Sequence, residues 1–368
     1  MVPAIAVADA LLAEGARVSF IGTRERAEAQ LVPEAGYEID FLSVQGLDRR
    51  NPLRAIAAAG KAARAVGVAK RLLATRGAQA VVGGGGYVAG PAGLAAVRMG
   101  LPLVLTEADS HLGLANRLLA RRARRVCLAF PIPGREGDPY LVTGRPVPRA
   151  VLEADHGAAR DRFGIPRDQR CLAVVGGSLG ALSINQAALA TFGEGLAGAG
   201  VPATGAPAIA AWILHVAGRR DYPELRKRLD RVGSPERYLL LEYESSLGDV
   251  FAASDLVVAR AGGSVMEIAA AGRPAILIPY PHATGDHQSA NARWMAEGGA
   301  ASVIPDSELS PERLANEATA LLGDGERLAA MAAASRRLAR PEAAERIAAE
   351  VLGAIEHGSG APGPGEER

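Results

Sequence analysis

Cysteine is nearly absent from this chain: Cys127 and Cys171 are the two it has. They lie far apart in apolar stretches without metal-ligand spacing. That argues against a disulfide scaffold or thiolate zinc site and for buried free thiols in a reducing compartment. Net charge is small, at +1, so nothing steers the whole molecule toward nucleic acid. No apolar run reaches the ~18 residues of a membrane span, and the apolar start lacks the basic leader of a secretory signal. Aromatics are only 4%, set against abundant Ala and Gly, which we read as compositional bias rather than function. What remains is a 368-residue chain, 49% hydrophobic and 22% charged, with apolar mass for two large cores. A cytosolic protein of two domains is the expectation.

The stretch "MVPAIAVADALLAEGARVSFIGT" reads as a helix with Pro3 in its first turn and Gly15 closing it, then a buried strand over Val18–Ile21. Met1 to Ile21 is thus the second half of a β-α-β unit whose first strand is not in the chain. Further strands are expected at Ala80–Val82, Leu103–Leu105, Val126–Ala129 and Tyr140–Val142. A second series runs through Cys171–Val175, Trp212–Val216, Tyr238–Leu241, Leu256–Val258, Ala275–Ile278 and Ala301–Ile304. Alternation with helical segments implies an α/β protein with two doubly wound, parallel sheets. The expected domains are residues 1–145, completed by a C-terminal helix at about 341–356, and residues 146–340. The Pro-containing "VTGRPVPRAV" connects them. Residues 311–356 read as Ala-rich helix interrupted at Pro341, and residues 357–368 as a disordered Gly/Pro tail.

Chemistry-bearing residues gather where strands end. In "CLAVVGGSLGALSINQAAL" an apolar strand runs into Gly176, Gly177 and Ser178, then a helix, a turn that exposes amides to phosphate. In "DLVVARAGGSVMEIAAAG" a similar turn of Gly262, Gly263 and Ser264 leads into a helix carrying Glu267. That carboxylate suits a ribose diol, or simply the positive end of the helix. "LIPYPHATGDHQSANARWMAEGG" crowds His282, Asp286, His287, Gln288 and Asn291 together. Side-chain amides donate and accept at once, as sugar hydroxyls require, and the bland alternative is a helix start capped by Asp286. "VVGGGGYVAGPAGLAA" places four glycines before Tyr87, either a close approach to the backbone or a flexible loop.

Residues 49–76 contain no acidic residue but hold Arg49, Arg50, Arg54, Lys61, Arg64, Lys70, Arg71 and Arg76, interleaved with apolar side chains. Arg117, Arg121, Arg122, Arg124 and Arg125 add a second cluster. Either set is a solvated face or, for Arg49–Arg76, a contact with an anionic membrane surface.

These motifs, in order, resemble those of the MurG glycosyltransferases, and with "AQLVPEAGYEIDFLSVQGL" and "GLANRLLA" the resemblance covers nearly the whole chain. That family transfers N-acetylglucosamine from UDP-N-acetylglucosamine to undecaprenyl-diphospho-muramyl-pentapeptide (lipid I), giving lipid II for peptidoglycan. The resemblance implies two Rossmann-like domains facing a cleft (GT-B type), an inverting transfer, no metal, no cofactor, and a peripheral location on the cytoplasmic face of the plasma membrane. It implies that Gly177, Ser178, Gly262, Gly263 and Ser264 face the nucleotide, Glu267 the ribose, and Gln288 and Asn291 the sugar hydroxyls. Tyr87 and Asn116 fall in acceptor-side loops. The family's "GNPVR" connector reads "GRPVP" here, which displaces its arginine to Arg145 or Arg149; its "HEQN" reads Thr106-Glu107-Ala108-Asp109. The family's "GGTGGH" loop, with the histidine usually proposed as base, would precede Met1, so a start site assigned too late is expected. Within the chain the fallback bases are Glu107, His111 and His287. Two other readings stand beside this one: a UDP-N-acetylglucosamine 2-epimerase on the same fold, and a catalytically impaired nucleotide-sugar-binding protein.

Overall fold

The computed structural model describes residues 1–43, 52–109, 111–176, 181–195 and 210–358. The chain divides into two units, Met1–Pro148 with Arg340–Arg368, and Arg149–Ala339. The division falls at Pro148 rather than at the expected residue 145.

In the first unit, helix α1 (Val2–Ala13) opens on Pro3, and Gly15, with φ +82°, reverses the chain after it. Strands β1 (Ser19–Gly22) and β2 (Glu38–Phe41) pair in parallel, with α2 (Glu28–Glu34) between them. Helix α3 (Pro52–Thr75) leads to β3 (Val81–Gly83), α4 (Gly86–Arg98), β4 (Leu103–Glu107), α5 (Leu114–Leu119), β5 (Arg125–Leu128) and β6 (Tyr140–Val142). The last four strands form a separate parallel sheet in the order β3-β4-β5-β6. Among the described residues no strand bonds to both β1 and β3. Alternation on β4 sends Leu103 and Leu105 toward Val66, Leu73 and Ala95 of α3 and α4. Val104 and Cys127 face the other way, against Val7 and Leu11 of α1 and Ile347 and Val351 of the C-terminal helix (Ala343–Gly358).

The second unit starts with α6 (Arg149–Leu152) and α7 (His156–Phe163), then β7 (Arg170–Val175), α8 (Leu182–Ala188), β8 (Ala211–Val216), α9 (Tyr222–Arg231) and β9 (Tyr238–Leu241). It continues with α10 (Leu247–Ala253), β10 (Leu256–Ala259), α11 (Val265–Ala270), β11 (Ala275–Leu277), α12 (His287–Glu297), β12 (Ala301–Val303), α13 (Pro311–Gly323) and α14 (Gly325–Leu338). All six strands are parallel, in the order β12-β11-β10-β7-β8-β9. Chain order reverses between β7 and β10. In such sheets the crevice outside the carboxyl ends of those two strands is where ligands bind.

Burial pushes the thiols of Cys127 and Cys171 up to about 12, so both stay protonated and inert. Three expectations change. Strand β2 was missed because its "EIDF" pattern is half exposed and acidic, its acids paired with Arg76. The helical region after residue 311 breaks twice: near Pro341, and at Asp324, whose carboxylate accepts the Arg327 amide to cap α14. The C-terminal helix runs on to Gly358, and the rest of the expected tail lies outside the described residues.

Candidate functional site

At the switch point β7 runs into Gly176, whose amide donates to the Val216 carbonyl. A Cβ there would stand 2.8 Å from the Ala217 carbonyl oxygen, 2.9 Å from Asn185 Oδ1 and 3.1 Å from the Ala181 nitrogen. Glycine is required by close backbone approach. Gly177 and Ser178, the expected phosphate-facing residues, lie outside the described residues.

Strand β10 delivers the second turn. After Ala259 come Arg260 and Ala261, then Gly262, Gly263 and Ser264, half-buried in the turn before α11. The Val265 and Met266 amides close that turn on the Gly262 and Gly263 carbonyls. Glu267, half-buried, sits in the first turn of α11, where the helix dipole favours a carboxylate.

Helix α12 is lashed to the same place by two amide side chains. Gln288 Oε1 accepts the Tyr280 amide at 2.9 Å, and its Nε2 lies 3.9 Å from where a Cβ on Gly262 would stand. Asn291 Nδ2 donates to the Ala261 carbonyl at 3.0 Å, while its Oδ1 is buried without a partner. A buried orphan acceptor costs free energy unless a ligand donor meets it. The structure thus brings Gly262, Gln288 and Asn291 together at the end of β10; Glu267 follows Gly262 by five residues, in the first turn of α11. Asp286 does not cap α12: it holds a left-handed conformation and its carboxylate accepts the Ser289 hydroxyl at 2.6 Å. His287 is half-buried at the start of α12, and His282 is exposed with its ring edge-on to Tyr280.

Arg260 was missed by sequence reasoning. Its guanidinium donates to Ser183 Oγ at 2.8 Å, Asp306 Oδ1 at 2.5 Å and the Ile278 carbonyl at 3.2 Å, tying β10, β11 and α8 into one frame. The available signal was a lone cation ending an otherwise apolar strand. Arg149, proposed for substrate, is exposed on α6 and paired with Glu153, the residue just after that helix.

In the first unit, β3 runs into Gly85 and Gly86 with φ of +79° and +74°, a conformation glycine alone adopts freely. The glycine run is a defined turn opening α4, in place of a flexible loop. Tyr87 is the second residue of that helix. The Glu107 carboxylate accepts from the Gly113 amide at 2.8 Å, Asn116 Nδ2 at 2.9 Å and the Asp109 amide at 3.3 Å. Asn116 is fully buried, also donates to the Thr106 carbonyl, and leaves Oδ1 unpartnered. Its Nδ2 lies 3.7 Å from a Cβ built on Gly85, so the glycine turn, Glu107 and Asn116 form one cluster. His111 is exposed.

The basic stretch is corrected at its end: Arg76 is neutralised by Glu38 and Asp40 of β2. Arg64, Lys70 and Arg71 are exposed on α3, opposite the buried Ala65, Val66, Ala69 and Leu73. Arg49 and Arg50 lie outside the described residues.

An all-parallel sheet with this strand order, with a glycine turn and amide side chains at the carboxyl ends of its strands, is the doubly wound architecture of a ligand-binding α/β domain. The sequence models for the glycosyltransferase family 28 N-terminal and C-terminal domains match residues 1–128 and 171–347. The chain belongs to glycosyltransferase family 28. It is 40% identical over 368 residues to the UDP-N-acetylglucosamine–N-acetylmuramyl-(pentapeptide) pyrophosphoryl-undecaprenol N-acetylglucosamine transferase of Moorella thermoacetica, covering 97% of this chain and 96% of that protein. The crystal structure of Acinetobacter baumannii MurG superposes with a TM-score of 0.72 at 29% identity, covering 95% of each chain. A putative UDP-N-acetylglucosamine 2-epimerase from Listeria monocytogenes shares the fold at TM-score 0.67 and 17% identity, over 97% of this chain and 95% of that one.

Proposed function

We propose that this chain is an inverting transferase that moves N-acetylglucosamine from UDP-N-acetylglucosamine to the muramyl hydroxyl of lipid I. The observation that carries the reading is the convergence of Gly262, Gln288 and Asn291 at the end of β10, in a chain so similar to transferases of that name. The hydroxyl oxygen bonds to the anomeric carbon as the bond from that carbon to the UDP oxygen breaks. The electron pair leaves with UDP, steadied by backbone amides, and the hydroxyl proton passes to a base. The second unit supplies the donor residues. The first supplies the acceptor loops around Gly85, Tyr87 and Asn116, with Glu107 holding their shape.

Glu267→Ala should weaken UDP binding by about 1.5 to 3 kcal/mol, roughly ten- to hundred-fold in Kd, as expected for a charge-assisted bond to the ribose diol. Calorimetry with UDP checks it; an unchanged Kd removes Glu267 from the donor site. Incubation with UDP-N-acetylglucosamine alone separates the epimerase reading, which requires a change at C2 of the sugar without acceptor.

The same reading makes the protein peripheral to an anionic membrane. Among the described residues no helix is long and apolar enough to cross one. Leu118 is 68% exposed on α5, flanked in sequence by the exposed Arg117, Arg121 and Arg122, and α4 packs against both α3 and α5. Vesicles with anionic lipid should retain the protein at low salt and release it as salt approaches a few hundred millimolar. Equal retention on neutral vesicles in a flotation assay would count against the basic residues.

A further inference from the structure

Behind the β7 turn lies a chain of buried polar groups that substrate contact does not explain. Asn185 on α8 and His215 on β8 are fully buried, Tyr238 on β9 nearly so. Asn185 Nδ2 donates to the Ala217 carbonyl and to Asp221 Oδ2, both at 2.9 Å. Both partners are acceptors only, so the amide orientation is fixed and Oδ1 is the end that meets His215 Nε2 at 3.0 Å. That nitrogen therefore carries the ring hydrogen, and Nδ1 accepts from the Tyr238 hydroxyl at 2.7 Å. Donation runs one way, from Tyr238 through His215 and Asn185 to Asp221, whose other oxygen accepts from Arg220 Nε at 2.8 Å.

The network abuts Gly176. Asn185 Oδ1 and the Ala217 carbonyl, both held by this network, are the atoms that leave no room for a side chain at Gly176. We propose that the Tyr238–His215–Asn185–Asp221 chain is a positioning network that fixes Gly176, just after β7, against α8 and thereby sets the enzyme's hold on the UDP diphosphate. This rests on the donor reading above. The residues come from α8, β8, β9 and the start of α9, where Asp221 precedes the helix, so their mutual bonds fix α8 against β8 more finely than apolar contact does. A fully satisfied network can do so; a half-satisfied one cannot.

The test compares His215→Gln, whose amide nitrogen reaches about as far as Nε2 and still donates to Asn185, with His215→Leu, which fills the space and donates nothing. In the full-length enzyme, His215→Leu should raise the KM for UDP-N-acetylglucosamine tenfold or more while the KM for the lipid acceptor stays within twofold. His215→Gln should keep the donor KM within about threefold of the parent. Tyr238→Phe, a milder change that keeps the ring, should raise it two- to fivefold, and it serves as the variant of record should His215→Leu fold poorly. A donor KM unchanged in Tyr238→Phe and in folded His215→Leu overturns the proposal, because a packing role lowers the folded fraction without touching the KM. If the parent enzyme itself binds no UDP in calorimetry, the donor reading fails rather than the network.

Discussion

Acidification from pH 7 to pH 5 should cost the second unit about 2 kcal/mol through one side chain, His215. Burial alone holds its ring uncharged down to about 3, whereas in the unfolded chain it protonates near 6.5. Below that value the unfolded state binds a proton the folded state refuses, so the stability, complete above about 6.5, falls as the pH drops and goes on falling toward 3. Its ring nitrogens are met by the Tyr238 hydroxyl and the Asn185 amide, and the Asp221 carboxylate lies beyond Asn185. Urea midpoints measured across this window should slope downward for the parent and be markedly flatter for His215→Gln. Parallel slopes in the two proteins would show that the histidine is not the titrating group.

Gly248→Ala should destabilise the same unit by about 3 kcal/mol or more, a fall in Tm of roughly 6 to 12 °C for a domain of this size. Gly248 lies on α10, and an added Cβ would stand 2.2 Å from the Ala150 carbonyl oxygen and 2.8 Å from the Val151 Cα of α6. These are backbone atoms with no rotamer to yield. The two helices would have to part, opening the wall over Val151 and Phe251, both buried. Gly353→Ala on the C-terminal helix is the control: nothing lies within 4 Å of its Cβ position, so helix propensity should make it neutral or stabilising. Scanning calorimetry on the pair decides whether close approach or loss of glycine flexibility is responsible.

How much of this was legible in the sequence follows from where each signal resides. Strands of a sheet covered on both faces are continuous apolar runs, so Cys171–Val175 and Leu256–Val258 could be read to within a residue or so of β7 and β10. Strand β2 could not, because Glu38 and Asp40 are acceptable in a strand only once Arg76, 36 residues beyond Asp40, is seen to pair with them. The glycine turns at Gly85 and Gly262 announced themselves by composition, and Gln288 and Asn291 by their spacing. Their shared task of binding α12 to the ends of β10 and β11 is a tertiary fact. The Asn185–His215 pair was invisible for the same reason: 30 residues separate them, and in the sequence His215 is a lone histidine in an apolar run.

The first unit is built from both ends of the chain. Val7 and Leu11 complete their core only against Ile347 and Val351, so some 340 residues must be made before that face of the sheet can close. The second unit, Arg149–Ala339, has all its strands by then. Vectorial synthesis would ordinarily let the leading domain fold first. Here the order inverts: the trailing unit is finished while the leading one waits, its apolar face toward α1 open to whatever binds exposed hydrophobic surface in the cell. Removal of the helix Ala343–Gly358 would therefore be felt at α1, some 340 residues earlier in the chain.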